Sequence, residues 1–274
     1  ANFSMHYHGG GGPADYFALF ADRLAKRLES EGRAPVCAMS QGTSGDLHWM
    51  NYGKPSKGSN VSRYADGLVQ LTVQALEGIR HHSSPPLAME QKVITLSRRL
   101  PDEERLAWAD QLLAKIKGRR PKNRPEVYAE QARYIHENPT EKLVLQTLRI
   151  GDLGITTLPN EVYSITGLKL KARSPFSATF NVELANGAAG YIPPLAQHAL
   201  GGYTTWPART AGLEVEAEPK IVETLLSSLE SLAGKPRRDT AATHGAYAKA
   251  ILAQKPLAYW RFEEFEGGRL ADAS

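Results

Sequence analysis

The sequence predicts an α/β fold (mixed α+β), a mixed sheet flanked by helices. Three observations predict it: short alternating or apolar runs of strand length, amphipathic stretches at helical spacing, and turn-forming residues at the junctions between them. Of the 274 residues, 42% are hydrophobic and 23% charged, a balance that can bury a core. No apolar run approaches the roughly 20 residues of a membrane-spanning helix, so no transmembrane segment is expected.

Residues 2–8 alternate as a strand and 9–12 form a glycine loop. Pro13 and Asp15 mark a helix start; Phe17, Phe20, Leu24 and Leu28 follow at helical spacing, and Gly32 ends the helix. Residues 36–39 read as a short buried strand that carries Cys37 as an inert core thiol. A polar, glycine-bearing loop follows at 41–50. Residues 61–80 form a helix with Leu68, Leu71, Val73 and Leu76 as its apolar face. Residues 92–96 read as a strand, and 102–117 as an amphipathic helix with Leu106, Ala109, Leu113 and Ile116 inward. A further helix at 126–136 stops before Asn138-Pro139. Strands at 143–150 and 154–158 meet at the Gly151-Asp152 turn. A buried helix at 161–172, an alternating strand at 176–184 and an amphipathic helix at 221–232 complete this domain, residues 1–233.

Residues 234–246, rich in Pro, Arg and Thr, have a linker composition. Residues 247–274 read as the start of a second domain, a short helix at 247–252 and an aromatic strand at 256–264; so few residues do not bury a core unaided. The sequence opens on Ala1 and ends without a terminating feature, so a piece cut at both ends is expected. Lys and Arg number 33 against 29 Asp and Glu, a formal charge of +4. The basic clusters at 119–124 and 235–238 lie among turn-formers without interleaved aromatics, so they read as solvated loops and no nucleic-acid partner is expected. One cysteine excludes an internal disulfide and a cysteine-based zinc site.

Three segments carry polar residues that secondary structure does not require. His6 and His8, two apart on a strand, would share a face, either as a site beside the glycines or as a surface or core pair. In the 41–50 loop, Thr43, Ser44, Asp46 and His48 could bind or move protons; equally, the loop is an ordinary turn with Asp46 as a cap. Glu161 stands between a strand end and an apolar helix, where the helix dipole alone favours a carboxylate. Tyr191 and Tyr203 lie in Pro- and Gly-rich loops, where packing with one hydrogen bond would account for each.

Taken in order, Asn2-Phe3-Ser4-Met5-His6, Gln-x-x-x-Gly-Asp-Leu at 41–47, Pro159-Asn160-Glu161, and Tyr191 followed by Tyr203 resemble the neutral/alkaline, non-lysosomal ceramidase family over residues 1–232. The resemblance implies a zinc-dependent hydrolase of amide bonds, with Zn²⁺ held by His6, Glu161 and Tyr191. It implies that Tyr203 positions the substrate amide and that His48 and Asp46 line the catalytic loop, of which Ser44 is a substrate-binding candidate; His8, two residues beyond His6 on a strand, could face the same cavity and either touch substrate or support a ligand. The implied substrate is an N-acyl lipid or another small amide, and the implied setting is secreted, periplasmic or cell-surface. The family's first zinc histidine, in a His-x-His-x-Gly-Pro segment, would lie upstream of Ala1. His48 stands where the family has a serine, Asn160 where it has a glycine, and Ala188 where it has a tyrosine. The 247–262 segment resembles the entry to a laminin-G/concanavalin-like jelly roll, which implies a glycan-binding module. The alternative is a non-catalytic surface binding or adhesion protein that retains the hydrolase scaffold.

Overall fold

In the computed structural model the described residues are 1–274 apart from 10, 11, 13, 56, 57, 59, 239–244, 263, 266–269, 271, 273 and 274. The chain opens with β1 (Asn2–Phe3), α1 (Asp15–Arg27), β2 (Ser40–Gln41) and α2 (Val61–Leu76). β1 and β2 pair in parallel, Asn2 opposite Ser40 and Phe3 opposite Gln41. Tyr16, Phe20 and Leu24 of α1 meet Ala65 and Leu68 of α2, with Met5 between them. The Asn60 side chain caps α2 by accepting the Arg63 N–H.

Three expectations fail in this half. The strand expected at 2–8 stops at Phe3, because β2 offers only two residues to pair with. Residues 36–39 are not a buried strand: Val36 is 99% exposed, and Cys37 only half-buries against the α1–α2 cluster. A short apolar run has no period from which a face can be read. α2 ends at Leu76 and turns Leu71 to solvent, leaving Ala65 and Leu68 as its buried residues. Gly10, Gly11 and Pro13 of the expected loop and helix start lie outside the described residues.

The second half is built on β3 (Leu87–Ser97) and β4 (Thr140–Ile150), an unbroken antiparallel ladder from Leu87 opposite Ile150 to Ser97 opposite Thr140. Their connection holds α3 (Glu103–Ile116) and α4 (Arg124–Glu137), which meet through Ala109, Ala129 and Ala132. Asp102 and Asn123 cap these helices by accepting the Arg105 and Glu126 N–H groups at 2.7 and 3.0 Å. β5 (Leu153–Thr157) closes a hairpin with β4. Then come β6 (Glu161–Val162), α5 (Ser164–Arg173) and β7 (Ala178–Val182), which lies parallel to β5, so the sheet order is β3-β4-β5-β7. β8 (Tyr191–Ile192) pairs in parallel with β6; α6 (Leu195–Leu200), a 3-10 turn at Tyr203–Thr205, α7 (Ala217–Ala233) and α8 (Ala246–Leu252) follow.

α7 lays Ile221, Leu225, Leu226 and Leu229 against Leu96, Leu143 and Leu145 of the sheet and against Leu170 and Phe176. Gly154 permits this approach: a Cβ there would stand 2.8 Å from Phe176 and 3.0 Å from Leu229. Between α5 and α7 a buried ion pair joins Lys169 Nζ to Glu218 at 3.0 Å, and Thr166 Oγ1 donates to the same carboxylate. The helix expected from 161 starts at Ser164 instead, because Glu161 and Val162 are taken up by pairing with Tyr191 and Ile192. At the C-terminal end the short helix forms as α8. No strand runs through the described residues at 256–264, where only an isolated bridge joins Trp260 to Asp272. Much of the expected linker, 239–244, lies outside the described residues. No helix among the described residues is long and apolar enough to cross a membrane.

Candidate functional site

The two short parallel pairs, β1–β2 and β6–β8, bring the polar segments together. The turn after β2 runs against β6, with the Gly45 N–H donating to the Val162 carbonyl at 2.7 Å. A Cβ at Gly45 would stand 2.8 Å from the Glu161 carbonyl oxygen, so this approach requires glycine. Gln41 Nε2 donates to the Met5 carbonyl and to Ser44 Oγ, each at 2.6 Å. The Ser44 hydroxyl donates to Glu183, whose other oxygen accepts the Ser44 and Val162 N–H groups at 3.1 Å. Asp46 accepts the Ser164 N–H at 2.6 Å and its hydroxyl at 3.0 Å, holding the first turn of α5. The conspicuous residues of the 41–47 motif therefore have structural tasks: clamp, close approach and cap.

This frame brings the side chains of Glu161 and Tyr191 up to the His6 ring. The His6 ring Nδ1 lies 2.9 Å from the Leu47 carbonyl. A carbonyl only accepts, so Nδ1 carries a proton and Nε2 is the ring nitrogen turned towards Glu161 and Tyr191. Nε2 lies 3.3 Å from Glu161 Oε2 and 3.3 Å from the Tyr191 hydroxyl. The β6–β8 register sets Glu161 directly opposite Tyr191. The His6 and Tyr191 rings stack nearly parallel, 8° apart. Tyr203 OH donates to Tyr191 OH at 3.4 Å with its ring edge-on. The Glu161 hydrogen bond raises the His6 pKa above its ordinary value, against the pull of burial. Burial raises that of the Tyr191 phenol, with the Tyr203 hydroxyl and the Glu161 carboxylate adding to it. Among the described residues no group of three or more His, Cys, Asp or Glu forms a metal cage; the third donor here is a phenol.

His6 opens onto a cavity of about 300 Å³ whose wall also includes Asp46, His48, Tyr163, Tyr203 and Thr204. Tyr163 and Thr204 are tied by a 2.7 Å hydrogen bond. His48 lies with its ring 6.5 Å from that of His6. The site thus gathers His6, Glu161, Tyr191, Tyr203, His48 and Asp46.

Two expected substrate contacts lie elsewhere. His8 does not share the cavity with His6, because strand geometry ends at Phe3. Its side chain is 2% exposed and packs among the rings of Tyr16, Trp49 and Tyr64, 3.6 Å from Asp15, and burial lowers its pKa. Ser44 is 1% exposed and hydrogen-bonded on both sides, so it holds the loop and does not face the cavity.

Glu183 was not singled out by the sequence. The signal is an inverted alternation in and after β7, where the polar Asn181 and Glu183 are buried while Phe180 and Val182 are only half-buried. Burial pushes the Glu183 carboxyl up to about 7, against the pull of the three donors it accepts from. A carboxyl whose folded pKa lies above its unfolded value stabilises the fold most below the unfolded value and loses that contribution as pH rises through the folded one. Wild-type stability should therefore fall between pH 4.5 and 7, by up to about 3 kcal/mol from this group. Glu183→Gln should lack that slope in denaturant unfolding measured across this range; identical slopes would contradict the assignment.

No family model matches the chain, and no curated protein matches it in sequence. Solved structures similar to it include two ceramidases. One is a neutral ceramidase from Pseudomonas aeruginosa, 13% identical, with a TM-score of 0.55 over 86% of this chain and 43% of that one. The other is a ceramidase complexed with C2, 12% identical, with a TM-score of 0.59 over 89% of this chain and 47% of that one. The chain spans less than half the length of either. At such identities the likeness concerns the backbone, and by that measure the mixed α/β architecture of this chain is a ceramidase-like fold.

Proposed function

We propose that the chain carries the greater part of a zinc-dependent hydrolase site that cleaves amide bonds, with an N-acyl lipid or a smaller N-acyl amine as substrate. The observation that carries this reading is the convergence of His6 Nε2, Glu161 Oε2 and the Tyr191 hydroxyl, with both separations from Nε2 at 3.3 Å. Donors bound at roughly 2.0–2.1 Å around a tetrahedral zinc stand about 3.3 Å apart, which matches both separations from His6 Nε2. These three would be the part of the ligand set that this chain supplies, with the family's further histidine expected upstream of Ala1. When bound, the ion would polarise the amide carbonyl and lower the pKa of water held beside it.

The chain's own residues supply the rest. The Leu47 carbonyl fixes the His6 tautomer and ring, the outer-shell support that ligating histidines commonly have. Pairing of β6 with β8 holds Glu161 and Tyr191 at a set separation, so the donors are ordered before any ligand arrives. Tyr203, 58% exposed on the cavity wall, can turn its hydroxyl from Tyr191 to a substrate carbonyl. His48, on the same wall, can pass a proton to the departing amine. Asp46, already committed to α5, shapes the cavity and is not assigned a proton-transfer role.

Hydrolysis of an N-dodecanoyl fluorogenic amine by the full chain, with and without added zinc, tests the reading. Turnover should require zinc, stop with a chelator, and fall at least about 100-fold in Glu161→Gln, because the variant loses a charged ligand. Turnover indifferent to zinc, or undiminished in Glu161→Gln, would reject it.

A further inference from the structure

A second cavity, of about 700 Å³, lies apart from the His6 site, between α3, α4 and the segment that follows the 3-10 turn. Its lining is mainly apolar and includes the rings of Trp108, Tyr128 and Trp206. Tyr128 and Trp206 meet edge to face at 5.8 Å. Its cations are Arg99, Arg105 and Arg124, and its one carboxylate is Asp102. That carboxylate is engaged in capping α3 through the Arg105 N–H. None of these three guanidinium groups forms an ion pair with a carboxylate among the described residues. The Arg105 guanidinium carbon lies over the Trp108 ring, 4.1 Å from its centroid, which holds its charge beside the apolar wall. Arg99 is half-buried; its Nε and one Nη bond the Leu213 and Ala211 carbonyls, which fixes its plane.

An apolar pocket of this size that concentrates positive charge, with its only acid already engaged, is complementary to an amphiphile with a single anionic head. The guanidinium fork matches a carboxylate in particular. We propose that this cavity binds a long-chain carboxylate, its chain against the aromatic wall and its head among Arg99, Arg105 and Arg124. This site is independent of the zinc reading. The two cavities share only a stretch of chain: Tyr203 and Thr204 line one, while Trp206 and Pro207 line the other.

The test is titration of the full chain with dodecanoate below its micellar concentration, followed by tryptophan fluorescence and calorimetry. Saturable one-to-one binding is expected. Arg105 and Arg124 are both exposed, so Arg105→Gln/Arg124→Gln should fold normally, and it should weaken binding about fivefold or more. Dodecyltrimethylammonium, with the same chain and the opposite charge, should not compete, and acetate should not bind. His6→Ala should bind dodecanoate as the wild type does. Absence of saturable binding, an unaffected double variant, effective competition by the cation, or loss of binding in His6→Ala would each overturn the proposal.

Discussion

His6→Ala is expected to lower zinc affinity by more than about 100-fold, beyond the roughly 10–100-fold that loss of an outer-shell partner costs. The reason is that His6 is the hub: its Nε2 lies 3.3 Å from both other donors, and it supplies the only nitrogen of the three. Tyr203→Phe makes the contrasting case. It removes a hydrogen bond to the Tyr191 hydroxyl and no donor, so a loss nearer tenfold is expected. Competition against a chromophoric chelator measures both. If His6→Ala and Tyr203→Phe lose equal affinity, the donor assignment is wrong.

The largest stability effect is expected at Lys169. Its ammonium meets Glu218, whose side chain is 0% exposed, at 3.0 Å between α5 and α7. Lys169→Met leaves that carboxylate buried without its cation, at a cost of about 3–5 kcal/mol. Folded domains have about 5–15 kcal/mol in total, so the variant stands near the edge of folding. Removing both charges, as Lys169→Met/Glu218→Leu, should recover most of the loss, because the desolvation cost leaves with the pair. Denaturant unfolding of both variants gives the coupling. A cost below about 1 kcal/mol for Lys169→Met would mean that the pair is worth no more than an exposed one. Neither residue lines the His6 cavity, so zinc bound per folded chain should not change.

What the sequence made legible follows from which interactions are local. The helices starting after Asn60, Asp102 and Asn123 are marked by side chains that cap their own backbones three residues on. The β4–β5 hairpin is marked by Gly151-Asp152. Expectations failed where the deciding partner is remote. Glu161 reads locally as a helix start, but its pairing with Tyr191 makes it a strand residue. His8 reads as the companion of His6 until strand pairing stops at Phe3 and the Tyr16, Trp49 and Tyr64 rings enclose it. Family resemblance alone grouped His6, Glu161 and Tyr191 as a proposed ligand set. Spacing says nothing about groups 185 residues apart in the chain, as His6 and Tyr191 are. Glu183 stayed hidden because an acidic residue in an alternating strand is ordinarily assigned to the solvent face.

The most direct measurement is anomalous diffraction at the zinc edge from crystals of the full chain grown with equimolar zinc. A single strong peak should lie within bonding distance of His6 Nε2, the Glu161 carboxylate and the Tyr191 oxygen, and it should vanish in Glu161→Gln. A peak elsewhere, or no peak among these three side chains, would contradict the account.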